Sequence, residues 1–185
     1  MGLKKEVERN SGMERKGAVT FKGNPLTLLG SELNKGDKAP DFKAIGKDLK
    51  EVQLKDFSGK AKIISVTPSL DTPVCDAQAR RFNQEAAKLP GGVAVINISM
   101  DLPFAISRFC SSAGIEKVQT LSDHRDASFG INYGVLIKEL RLLARSIFVI
   151  DSNDVIRHIE IVKEVTSTVD FDAALKAAEA LLTRR

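Results

Sequence analysis

The chain has 185 residues, enough for one domain with a full core. Its 43% hydrophobic and 28% charged content is ordinary for a soluble globular protein; no run approaches a membrane span, and with no Trp and a single Tyr the stacking of nucleic-acid bases is poorly provided for. The net charge of +4 does not signal a polyanion partner either: residues 1–23 carry six basic and three acidic groups, +3 of the total, so the basicity belongs to a leading tail.

That tail has no apolar stretch of secretory-signal length, and its glutamates (Glu6, Glu8, Glu14) argue against a transit peptide. Residues 1–17 are expected to be a disordered or dispensable extension, with 18–185 as the folded domain. Met13 is a candidate alternative start, and residues 1–12 the most dispensable part. The default location is cytoplasmic, where two cysteines are more often redox-active than bridged structurally.

Ala18–Phe21 and Pro25–Leu29 flank Lys22-Gly23-Asn24 and read as a β-hairpin. Residues 36–42 read as a loop leading into a short strand, and Glu51–Leu54 alternates like a strand. Lys62-Ile63-Ile64-Ser65-Val66 is a β-branched apolar run, the signature of a buried strand. The pattern turns helical over 73–88, where Ala79, Phe82 and Ala86 recur at spacings of three and four. Gly91-Gly92 marks a turn into strand 93–98. A helix is expected over Leu102–Ala113, stopped by Gly114, then a short strand 118–121 and a short helix 127–133. Ser146–Ile150 reads as a buried strand, 151–154 as a turn, 155–162 as its hairpin partner and 170–182 as a terminal helix. Strands 62–66 and 93–98 joined by a helix form a parallel βαβ unit, and the last hairpin adds antiparallel strands. The fold class is therefore α/β: a thioredoxin-like mixed sheet flanked by helices, with an N-terminal β-hairpin extension.

Cys75 falls where strand 62–66 gives way to the following helix. Asp71 or Thr72 is placed to cap that helix and Pro73 suits its first position. Cys75 then lies in the first turn, where unpaired backbone N–H groups and the positive end of the helix dipole favour a thiolate. The plainer alternative is a buried structural cysteine. Thr72, three residues before Cys75, can share the same small space, and two prolines, Pro68 and Pro73, stiffen the backbone on either side of it. Cys110, 35 residues later, is either a core cysteine on the apolar face of its helix or a second redox thiol. Cys-x-x-Cys is absent, and with only His124 and His158, neither near a cysteine, a metal centre or a Cys/His pair is poorly supported. Arg145, just before the strand expected to neighbour 62–66, is either a solvated charge or a partner for the Cys75 thiolate. Glycine-rich phosphate loops and the Gly-x-Ser-x-Gly elbow are missing.

Pro68-x-x-x-Thr72-x-x-Cys75 resembles the active-site signature of peroxiredoxins, and Ser69-Leu70-Asp71-Thr72-Pro73-Val74-Cys75-Asp76 is similar to the thiol peroxidases, the bacterial atypical two-cysteine subfamily. Ser99–Ala105 with Arg108-Phe109-Cys110, Ala144-Arg145 before the strand ending Val149-Ile150-Asp151, and Gly23–Thr27 carry the same resemblance, which runs from about residue 18 to 182. The chain departs from it in the extension 1–17 and at Lys138–Leu142, where a glycine-containing loop would be expected. The resemblance implies a thiol-dependent peroxidase acting on hydrogen peroxide and organic hydroperoxides. Cys75 would attack the peroxide, Thr72 and Arg145 would hold it, and Pro68 would shield the thiolate. Cys110 would resolve the Cys75 sulfenic acid as an intramolecular disulfide, after local unwinding around Cys75. It further implies thioredoxin as reductant, a homodimer, and neither metal nor organic cofactor. A peroxide-sensing redox relay without multiple turnover shares the same chemistry and stays open as the alternative; a thioredoxin-like oxidoreductase is disfavoured by the missing Cys-x-x-Cys.

Overall fold

The computed structural model describes residues 2–89 and 92–182; Gly91 of the expected Gly91-Gly92 turn lies outside them. In chain order the elements are α1 (Leu3–Ser11), β1 (Glu14–Phe21), β2 (Asn24–Leu29), β3 (Lys43–Gly46), β4 (Glu51–Gln53), β5 (Ala61–Val66), α2 (Pro73–Ala86), β6 (Val93–Ser99), α3 (Pro103–Ala113), β7 (Gln119–Ser122), α4 (Ser128–Asn132), β8 (Leu136–Ile137), β9 (Ser146–Ile150), β10 (Ile156–Ile161) and α5 (Phe171–Leu182).

Seven strands form one mixed sheet in the order β10-β9-β5-β6-β7-β3-β4. Its centre, β5-β6-β7, is parallel; β9 joins β5 antiparallel, as expected for the final hairpin. Alternation along each strand sorts side chains to two faces. Ile63, Val95, Ile147 and Val149 meet Phe82 of α2, Ile106 of α3 and Ala174 of α5. Ile64, Val66, Ile96, Ile98, Phe148 and Ile150 belong to the opposite cluster, with Phe42, Phe129, Tyr133 and hairpin residues Val19 and Leu28. Four of these rings pack closely, with Phe129 and Tyr133 stacked at 4.2 Å between centroids and Tyr133 edge-on to Phe148 at 5.1 Å.

The hairpin β1–β2 turns at Lys22 and Gly23, whose φ angles of 50° and 80° are the left-handed pair a two-residue hairpin loop requires. Glu164 binds this turn: its carboxylate accepts from the Lys22 and Gly23 amides, each at 3.0 Å, and from the Thr20 and Thr166 hydroxyls. The Thr166 hydroxyl, then the Gly23 amide, hold the Glu164 carboxyl well below the usual carboxylate range. β2 also pairs with the two-residue β8, making a small three-stranded sheet that the sequence pattern did not indicate. In place of a glycine loop over 138–142, Arg141 itself takes a left-handed φ of 54°, and its amide donates to the Ile137 carbonyl at 2.9 Å.

The N-terminal extension differs from the expectation of disorder. Residues 3–11 form helix α1, and β1 begins at Glu14 rather than near 18. Val7 packs against the core cluster, and the buried Asn10 amide donates to Asn132 Oδ1 of α4 at 3.2 Å. Those tertiary contacts, not the mostly charged local sequence, account for the helix.

Candidate active site

β5 ends at Val66, and a six-residue loop carries the chain into α2. Thr72 is the N-cap with extended backbone (φ −112°, ψ 145°) and Pro73 follows at the first helical position. Its capping is by backbone alone: the Thr72 carbonyl accepts from the Asp76 amide at 2.9 Å, while its hydroxyl donates to the Ser69 carbonyl at 3.2 Å. Cys75 therefore sits in the first turn, fully buried, whereas Thr72 is exposed. Pro68, at the other end of the loop, is buried.

Antiparallel pairing of β9 with β5 sets Ser146 opposite Val66, which brings Arg145 to the end of the sheet where α2 begins. Arg145 is 2% exposed, so it is not a solvated charge. Its Nη2 donates to Cys75 Sγ at 3.3 Å, its Nη1 to Gln78 Oε1 at 2.7 Å and its Nε to the Val165 carbonyl at 3.0 Å. All three acceptors are a thiol or neutral oxygens, so the guanidinium charge is left to act on the sulfur.

Gln78 was not singled out from the sequence. It lies one helical turn after Cys75, on the same face of α2, and is 1% exposed. Its Nε2 donates to Ser65 Oγ at 2.7 Å. Ser65 Oγ also accepts from Asn97 Nδ2 at 3.4 Å, and Asn97 Oδ1 accepts from the Thr67 hydroxyl at 3.3 Å. A buried polar chain thus runs from Arg145 across β5 and β6. A glutamine on an otherwise apolar helix face, three residues after a candidate nucleophile, was the available signal.

Cys110 lies on α3, 5% exposed, in the apolar cluster with Ile106, Phe82 and Val118. Its Sγ is 3.2 Å from the Thr120 hydroxyl of β7. Cys75 and Cys110 are both free thiols, each with its own polar partner. His124 Nδ1 lies 2.7 Å from Ser122 Oγ, and His158 is on β10, so neither histidine is paired with a cysteine. Among the described residues no group of three His, Cys, Asp or Glu side chains could hold a metal ion, and no helix is long and apolar enough to cross a membrane.

A buried first-turn cysteine under an arginine can carry nucleophilic sulfur chemistry, and comparison with known proteins points the same way. The Redoxin family model matches residues 34–177. A protein of Halalkalibacterium halodurans named thiol peroxidase is 56% identical over 165 residues, covering 89% of this chain and 99% of that protein. A Bacillus subtilis thiol peroxidase is 57% identical over 164 residues, 89% of this chain and 98% of its own. Among solved structures, a peroxiredoxin-like protein from Aquifex aeolicus superposes with a TM-score of 0.84 at 39% identity, covering 92% of this chain and 99% of that one. The chain belongs to the redoxin family, and within it to the thiol peroxidases.

Proposed function

We propose that this protein is a thiol-dependent peroxidase in which Cys75 is the peroxide-reacting sulfur. The observation that carries this reading is the 3.3 Å hydrogen bond from Arg145 Nη2 to Cys75 Sγ in the first turn of α2. The Cys75 thiolate attacks the terminal oxygen of a hydroperoxide. The O–O bond breaks, the sulfur becomes a sulfenic acid, and the departing oxygen takes a proton to leave as alcohol or water. Arg145 and the first-turn amides stabilise the charge that moves onto the departing oxygen. Thr72, now bonded to the Ser69 carbonyl, turns its hydroxyl to the peroxide, and buried Pro68 keeps water from the sulfur.

Cys110 then attacks the sulfenic sulfur: an S–S bond forms and water leaves. The buried Cys110 and Cys75 occupy separate hydrogen-bonded positions, so a disulfide requires the chain around Cys75 to unwind. A dithiol of the thioredoxin type reduces the bond by exchange and is itself oxidised. The family resemblance supports hydrogen peroxide and organic hydroperoxides as substrates, a homodimer, and the cytoplasm, where free thiols persist.

The test is mass spectrometry after one equivalent of peroxide, joined to a peroxide-consumption assay on Cys75→Ser. The expected result is a 75–110 disulfide in the parent and no turnover in the variant. Substantial turnover by Cys75→Ser would place the chemistry elsewhere.

A further inference from the structure

Asp101 ties together the two segments that carry the cysteines. It precedes Leu102, the N-cap of α3, and so stands at the root of the helix bearing Cys110. Its carboxylate leaves that helix and binds the loop before Cys75. Oδ1 accepts from the Ser69 hydroxyl at 2.7 Å, and Oδ2 accepts from the Leu70 amide at 2.7 Å. Oδ2 also accepts from the Ser99 hydroxyl at 2.9 Å, and the Asp101 carbonyl accepts from Ser122 Oγ at 2.5 Å. Asp101 is thereby fixed to β6 and β7 while it grips the loop. Leu70 completes the grip, its 3%-exposed side chain lying in the same apolar cluster as Ile106 and Cys110.

We propose that Asp101 is a positioning residue that acts as a clasp, setting how readily the Cys75 loop releases for disulfide formation. The inference rests on the two-cysteine reading above. Once Cys75 is a sulfenic acid, two reactions compete for it. Cys110 can attack it, forming the S–S bond and releasing water. A second hydroperoxide can instead transfer its oxygen, giving a sulfinic acid and an alcohol. The first reaction needs Ser69 and Leu70 to come off Asp101 so that the chain around Cys75 can unwind towards Cys110; the second proceeds with the loop in place. Two charge-assisted hydrogen bonds holding Ser69 and Leu70 slow the first relative to the second. Asp101 touches neither sulfur, and its effect runs through the loop.

The experiment measures, in the full-length protein, the rate of 75–110 disulfide formation after a single peroxide pulse. It also measures the peroxide concentration at which half of Cys75 becomes sulfinic acid, for the parent, Asp101→Asn and Ser69→Ala. Asp101→Asn keeps the shape but can no longer accept from both Ser69 and Leu70. Disulfide formation is expected to speed up roughly tenfold, the size of one lost charge-assisted bond, and the half-sulfinic concentration to rise in proportion. Ser69→Ala should shift both in the same direction by less. Adding Ser69→Ala to Asp101→Asn should give less than the product of the two effects. An unchanged ratio of disulfide to sulfinic acid in Asp101→Asn, with a parent that does form the disulfide, overturns the clasp alone. A parent that forms no 75–110 disulfide overturns the two-cysteine reading and the clasp with it.

Discussion

Arg145 reaches Cys75 with one nitrogen and Gln78 with another, at 3.3 and 2.7 Å, so the group facing the sulfur is held in place by a residue on the same helix as that sulfur. The cation and the thiol are thus fixed to each other through α2, and the Val165 carbonyl anchors the guanidinium from outside. The planar fork matters because three acceptors are met at once.

Arg145→Lys keeps the charge but cannot meet all three acceptors. The rate of Cys75 sulfenic acid formation, followed by stopped flow, is expected to fall at least tenfold. Gln78→Leu leaves a buried guanidinium N–H without its acceptor and the Ser65 hydroxyl with Asn97 alone. It should slow the same step and lower unfolding stability by about 2 kcal/mol. Unchanged oxidation rates in both variants would mean that the Arg145 contact does not serve the peroxide reaction.

How much of this was legible depended on what held each residue. The β5 run and Pro73 placed Cys75 at a helix start because local preference and tertiary structure agree there. Arg145 stayed ambiguous, since only strand pairing decides whether a charge at a strand edge meets solvent or a sulfur. Gln78 is hard to pick out in the sequence because polar residues on helices are usually solvated. β8 is two residues long, too short to show a period, and exists only through its pairing with Leu28 and Leu29. Helix α1 carries Val7 among charges, and its order comes from contacts with α4 that no local pattern encodes.

Cys110→Ser separates the two sulfurs. Serine at 110 can still bond the Thr120 hydroxyl, so the fold should persist. The first oxidation of Cys75 is expected at nearly the parent rate. Turnover with a thioredoxin-type reductant should drop sharply, and sulfinic acid should accumulate under excess peroxide. A variant that cycles like the parent would make Cys110 a core residue, and the protein a one-cysteine peroxidase or a relay.

Asp123 makes stability depend on pH. Burial pushes its carboxyl up to about 7, against the opposing pull of the Gly130 and Phe129 amides that it accepts from at 2.8 and 3.1 Å. The folded value lies above that of the unfolded chain, so the folded state holds the proton more tightly. Its stabilisation is complete below about pH 4 and is lost as pH rises to about 7, by up to roughly 1.4 kcal/mol per pH unit. Urea titrations from pH 4 to 8 should show that slope in the parent and its absence in Asp123→Asn. Parallel curves would mean that the two amides keep the carboxylate ionised throughout.

Removing residues 1–12 tests the extension. The helix it deletes rests on α4 through Asn10 and Asn132, and Asn132 in turn donates to the Asp41 carbonyl at 3.0 Å. None of these groups touches Cys75, Arg145 or Gln78, so the rate of Cys75 oxidation should be unchanged. Stability should fall by about 1 to 2 kcal/mol, from one buried amide hydrogen bond and the packing of Val7. β1 keeps its start, because the Met13 carbonyl still accepts from the Gly30 amide at 2.9 Å. Chemical denaturation paired with stopped-flow oxidation of the truncated chain checks both halves. A large loss of oxidation rate in a truncated protein that stays folded would show that α1 supports the active site through α4, and the extension would then be part of the catalytic domain.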